Sequence, residues 1–104
     1  MDSYNLSGAY CLFFGTLAND SRLKIINLLR NGSKNVTEIC RATGFEQSMV
    51  SHNLKMLEYH GMVFVTKKGK FRQYSVNEKT IKPLLGLIDA HMKQYCCKIL
   101  EGKR

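Results

Sequence analysis

The sequence has one proline in 104 residues, no internal repeat and no low-complexity or Ser-rich tract. That excludes a disordered chain and a string of modules on linkers, and it suits one helix-rich domain over residues 1–104. There is no long apolar run. The most apolar N-terminal stretch, Ala9 to Ala18, is too short to span a bilayer. No basic segment precedes it, since Asp2 follows Met1, so neither a secretory leader nor a membrane partner is expected and the expected location is the cytoplasm. The four cysteines, Cys11, Cys40, Cys96 and Cys97, have no zinc-finger spacing, and in a reducing compartment they are expected as thiols. Paired carboxylates, a Gly-rich phosphate loop and a Ser-His-Asp set are all lacking, so an enzyme is not expected.

Acidic residues are scarce. Asp and Glu total 8 against 16 Lys and Arg, a net charge of +8. An excess of cations sets no fold, but it favours polyanionic partners, because cations that neutralise phosphates release condensed counterions. Hydrophobic residues make up 44%, enough for a folded core of modest size, which dimerisation would enlarge.

The apolar residues recur at helical spacing in the first part of the chain. Tyr10, Cys11, Phe13, Phe14 and Leu17 predict a helix from about 5 to 17. Asn19 or Asp20 can cap a second, with Leu23, Ile25, Ile26 and Leu29 as its apolar face and Gly32 as its stop. Asn35-Val36-Thr37-Glu38 reads as a capping box that opens a short third helix ending at Gly44. A fourth helix occupies 46–60, with Val50, Leu54 and Leu57 as one buried stripe.

The period then changes. Met62 to Thr66 and Phe71 to Val76 are β-branched and aromatic, and Lys67-Lys68-Gly69-Lys70 joins them, which predicts a β-hairpin over 62–76. A last helix over 78–99, capped by Asn77, carries Ile81, Leu84, Leu85, Leu87, Ile88 and Met92. So wide an apolar face needs a second surface to cover it, naturally that of a partner chain.

Short helix, Gly-containing turn, second helix and basic hairpin is the order of a winged helix-turn-helix: mainly α, α-α-α-α-β-β-α, with a small β-hairpin wing. On the fourth helix the face opposite the apolar stripe carries Gln47, Ser48, Ser51 and His52, which can hydrogen-bond base edges in a major groove, and Lys55, which suits a phosphate. Lys67, Lys68, Lys70 and Arg72 follow on the hairpin, where a wing would hold the DNA backbone. A polar helix face and a charge run can each be mere solvated surface; their succession in the chain favours double-stranded DNA.

Leu17 to Ile26, Gly44 to Leu57, Gly61-Met62-Val63 and Lys67 to Tyr74 resemble the arsenic-repressor (ArsR/SmtB) family. The resemblance implies a homodimer joined through the first and last helices, and a repressor that leaves an imperfect palindromic operator when an inducer binds. Where that family often has a proline, this chain has Asp20-Ser21, and either starts a helix.

The inducer is where the chain departs from the family. The third-helix thiol site is absent, since Ser33 to Thr37 contains no cysteine, and Cys40 reads as core filler. At the last-helix zinc site Glu78 and His91 match two ligands, while Thr80 and Gln94 replace the other two, half a tetrahedral set. Cys96 and Cys97 resemble the cysteine pair of arsenite-responsive members, with Cys11 as a third ligand across the interface. Such thiolates suit As(III) or another thiophilic metal ion as inducer. The same cysteines also fit a redox or reactive-sulfur sensor. A sequence-tolerant architectural DNA-binding protein and a protein-interaction module remain alternatives of other classes.

Overall fold

Each helix start follows from a local hydrogen-bonding group. In the computed structural model, which describes residues 5–102, Asn5 Oδ1 accepts from the Gly8 N–H at 2.9 Å and opens α1 (Leu6–Leu17). Asn19, rather than Asp20, caps α2 (Asp20–Leu29), its Oδ1 accepting from the Arg22 N–H at 3.0 Å. The capping box closes in both directions: Asn35 Oδ1 accepts from Glu38 N–H at 2.8 Å, and Glu38 Oε1 accepts from Asn35 N–H at 2.9 Å, opening α3 (Val36–Thr43). Gly44, at φ 77°, ends it in the left-handed region that a side chain would resist. α4 follows as Gln47–Tyr59, flanked by Glu46 and His60.

The hairpin consists of β1 (Val63–Lys68) and β2 (Phe71–Val76), antiparallel, with Val63 opposite Val76 and Lys68 opposite Phe71. Its turn is shorter than the sequence suggests. Lys67 and Lys68 belong to β1, leaving Gly69-Lys70 as a two-residue turn with Gly69 at φ 60°. A left-handed glycine in the first turn position matches the twist of the flanking strands, as in a type II′ hairpin.

The last helix departs more from expectation. It starts at Ile81 rather than 78 and runs to Tyr95 as α5. Cys96, at φ −125°, interrupts it, and a four-residue helix α6 (Cys97–Leu100) follows. Asn77 does not cap α5. Its Oδ1 accepts from the Lys79 and Thr80 N–H groups, and its Nδ2 donates to the Gly61 carbonyl at 2.9 Å. The side chain therefore builds the turn ahead of the helix and fastens it to the end of α4. Pro83 lies in the first turn of α5, where its missing N–H costs no helical bond.

One core holds α2, α3, α4 and the base of the hairpin together. Ile25, Ile26, Ile39, Val50, Leu54, Leu57 and Val63 are fully buried in it, and Ile81 brings in the start of α5. No helix among the described residues is long and apolar enough to cross a membrane.

Candidate nucleic-acid interface

α4 has two unlike faces. Val50, Leu54 and Leu57 turn inward, while Gln47, Ser48, Ser51, His52 and Lys55 are all exposed. A helix that is anchored along one stripe and polar along the other can present side chains to a groove without losing its seat. Glu46, at the N-cap, makes no side-chain cap bond.

The hairpin brings two cations, Lys70 and Arg72, to the start of this helix. Lys67 stands opposite Arg72 in the register and Lys70 occupies the turn; all four basic residues of the wing, Lys68 included, are exposed. None of them is in an ion pair among the described residues. A surface cleft is lined jointly by Asn35 and Thr37 at the start of α3, Gln47 at the start of α4, and Lys70, Phe71 and Arg72 of the wing. The fold thus brings Gln47 to two of the wing cations, while Lys55 sits two turns further along α4.

Two interactions that fix this arrangement join residues far apart in sequence. Lys34, in the α2–α3 connection, exchanges two backbone hydrogen bonds with Tyr74 of β2, at 3.0 and 2.8 Å. This bridge holds the root of the wing against the start of α3. On the other side of α4, Asn53 is only 7% exposed and its Oδ1 accepts from Arg22 Nε at 3.1 Å. The polarity of Asn53 inside an apolar stripe was the available sequence signal, but its partner lies 31 residues away.

The family profile for bacterial regulatory proteins of the arsR family matches residues 19–64, from the cap of α2 into β1. The transcriptional regulator NmtR of Mycobacterium tuberculosis is 42% identical over 69 residues, 66% of this chain and 58% of its own length. Its apo solution structure superposes with a TM-score of 0.74 at 34% identity, covering 84% of this chain and 73% of that one. A probable mercury resistance operon repressor of Streptomyces lividans is 32% identical over 96 residues, 88% of this chain and 77% of its own. The chain belongs to the arsR family. The winged helix-turn-helix fold is shared with a homodimeric DNA-binding domain, Mb0332 of Mycobacterium bovis, at a TM-score of 0.74 and 27% identity over 88% of this chain and 90% of that one. Fold and relatives are those of DNA-binding transcriptional regulators rather than enzymes.

Within this arsR-family protomer the cysteines lie on three elements or their junctions. Cys11 is exposed on α1, Cys96 is half-buried at the break between α5 and α6, and Cys97, the first residue of α6, is exposed; all are free thiols. Cys40 is half-buried and packs against the core. No group of three Cys, His, Asp or Glu side chains that could hold a metal forms among the described residues of one protomer. Glu78 lies in the turn before α5, whereas His91 is on α5 with its ring 5.1 Å from that of Tyr95, so these two positions of the partial zinc set belong to different elements.

α1 and α5 are apolar in the open. α1 buries only Thr16 and Leu17, and α5 only Ile81 and Leu85. Leu6, Tyr10, Leu12, Phe14, Leu87 and Tyr95 are exposed, as are Ile99 and Leu100 on α6. Tyr10, Phe13 and Phe14 share an apolar cleft with Leu84 of α5.

Proposed function

We propose that the chain is a cytoplasmic, homodimeric, sequence-specific repressor that binds double-stranded DNA. In this reading α4 lies in the major groove, where Gln47, Ser48, Ser51 and His52 read base edges. Lys55, Lys67, Lys68, Lys70 and Arg72 hold phosphates on either side. The observation that carries it is the cleft at which Gln47, the first residue on the exposed polar face of α4, meets Lys70 and Arg72 of the wing. Dimerisation through α1 and α5 is supported by the apolar side chains both leave exposed and by the homodimeric state of the Mb0332 domain. Two-fold symmetry then calls for an imperfect palindrome.

The inducer in this reading is a thiol-directed soft ion, As(III) or another thiophilic metal, held by Cys96 and Cys97 with Cys11 supplied across the dimer interface. Soft thiolates select such ions over hard cations. The relative named for mercury resistance supports the chemical class. Cys96 stands at the joint where the last helix is interrupted. A ligand there acts on the helices that set the separation of the two recognition helices.

The test is a titration of reduced protein on its promoter region, repeated with arsenite, Cd(II), Zn(II), a disulfide oxidant and polysulfide. Release by arsenite or Cd(II), abolished by Cys96→Ser plus Cys97→Ser, is the expected result. Release only by oxidant or polysulfide turns the same cysteines into a redox or sulfur switch. Specific binding that none of the agents disturbs contradicts the inducer assignment. A steep salt slope without sequence preference replaces the repressor by an architectural DNA-binding protein.

A further inference from the structure

Arg22 is half-buried, and its guanidinium reaches in two directions. Nε donates to Asn53 Oδ1 on α4 at 3.1 Å, and Nη1 donates to the Thr16 carbonyl in the last turn of α1, also at 3.1 Å. The last carbonyls of a helix have no partner within it, and a cation there also opposes the negative end of the helix dipole. Arg22 therefore caps α1 from outside and grips α4 with the same planar group. Asn53 follows directly on His52, so the gripped turn is the one that carries Ser51 and His52. Asn53 and Thr16 are the two buried polar residues among the described ones. This connection is therefore part-buried rather than laid over the surface. The exposed pair Arg30–Asp89, which joins the end of α2 to α5 at 2.8 Å, is a looser tie, with Asp89 63% exposed.

We infer that Arg22 is a positioning residue: it transmits the placement of α1 to α4 and so sets the distance between the two recognition helices of the dimer. The inference rests on the DNA-binding reading above and adds to it a residue that does not touch DNA. A fork with two fixed donors suits this role and a single ammonium does not, because Lys reaches one acceptor at a time. Loss of the guanidinium frees α4 to turn relative to α1, and the dimer then tolerates half-sites at more than one spacing.

The experiment uses the full chain and an operator selected with the wild-type protein from random duplexes, re-synthesised with one base pair added to or removed from its centre. Wild-type protein is expected to discriminate sharply among the three spacings. Arg22→Met and Arg22→Lys are expected to reduce that discrimination by at least about tenfold, the scale of one hydrogen bond to a charged group. Half-site preference, dimerisation and the salt slope should stay as they are. Asn53→Asp, which keeps an acceptor for Nε, is expected to retain the discrimination. If Arg22→Met does not fold, Asn53→Ala, which leaves Arg22 free to hold Thr16, takes its place. Unchanged spacing discrimination in a folded Arg22 or Asn53→Ala variant overturns the inference. So does a salt slope that falls by the equivalent of about one phosphate, which would make Arg22 a DNA ligand. If wild-type protein prefers no sequence at all, the DNA-binding reading fails instead, and that outcome is visible before any variant is made.

Discussion

The body of the domain and its outer helices spend their apolar residues differently. In α2, α3 and α4 the large aliphatic side chains Ile25, Ile26, Ile39, Leu54 and Leu57 have no solvent exposure at all. In α1, α5 and α6, Leu87 and Ile99 remain 70% exposed and Tyr10 and Leu12 more than half exposed. Both regions are built of amphipathic helices, so the difference lies in what covers them. The body is complete within one chain, whereas the outer helices have surface enough for a second. Stability should therefore be governed by the body and assembly by the outer helices, and substitutions can separate the two.

The largest effect is expected in the body. Leu54→Ala opens a cavity behind the candidate recognition helix and should cost about 2–5 kcal/mol, read from denaturant unfolding. A smaller cost would mean that the core collapses around the gap. On the outer side, Leu87→Asp should leave the protomer folded but weaken the dimer by about 2 kcal/mol or more, roughly thirtyfold in the dissociation constant, seen by sedimentation. An unchanged dimer would place the interface elsewhere. Lys67→Ala with Arg72→Ala, a cross-strand pair on the wing, should lower the salt slope of DNA binding by about 0.9 for each phosphate no longer neutralised, equally for all sequences. The smallest effect belongs to a helix end: Asn35→Ala removes half of the capping box and should cost about 1 kcal/mol of stability, checked by thermal unfolding.

Much of this architecture was legible because it is local. Asn35 and Glu38 stand three apart and need only each other, and the inward stripe of α4 follows from Val50, Leu54 and Leu57 whatever they pack against. The polar face of α4 was readable as its complement, and the hairpin from the change of period with Gly69 between two β-branched and aromatic runs. What escaped was tertiary. Arg22 meets Asn53 and Lys34 meets Tyr74 only after the chain has folded. Asn77 looks like a cap for α5, yet the carbonyl of Gly61 and the N–H groups of Lys79 and Thr80 engage it first. The break at Cys96 lies in Tyr95-Cys96-Cys97, which contains neither glycine nor proline to announce it. The thiols were legible as soft ligands by type, but nothing in their spacing along the chain brings Cys11 to Cys96 and Cys97.

The central claim is that the exposed face of α4 reads DNA sequence. Anisotropy titrations of wild-type protein and of Ser51→Ala plus His52→Ala, each on the selected operator and on a scrambled duplex, test it most directly. Wild-type protein should favour the operator by about a thousandfold or more. The variant should lose about 1–3 kcal/mol of that preference for each base-reading side chain removed, with scrambled-duplex affinity and salt slope unchanged. A variant that keeps the full preference would contradict the assignment of this face.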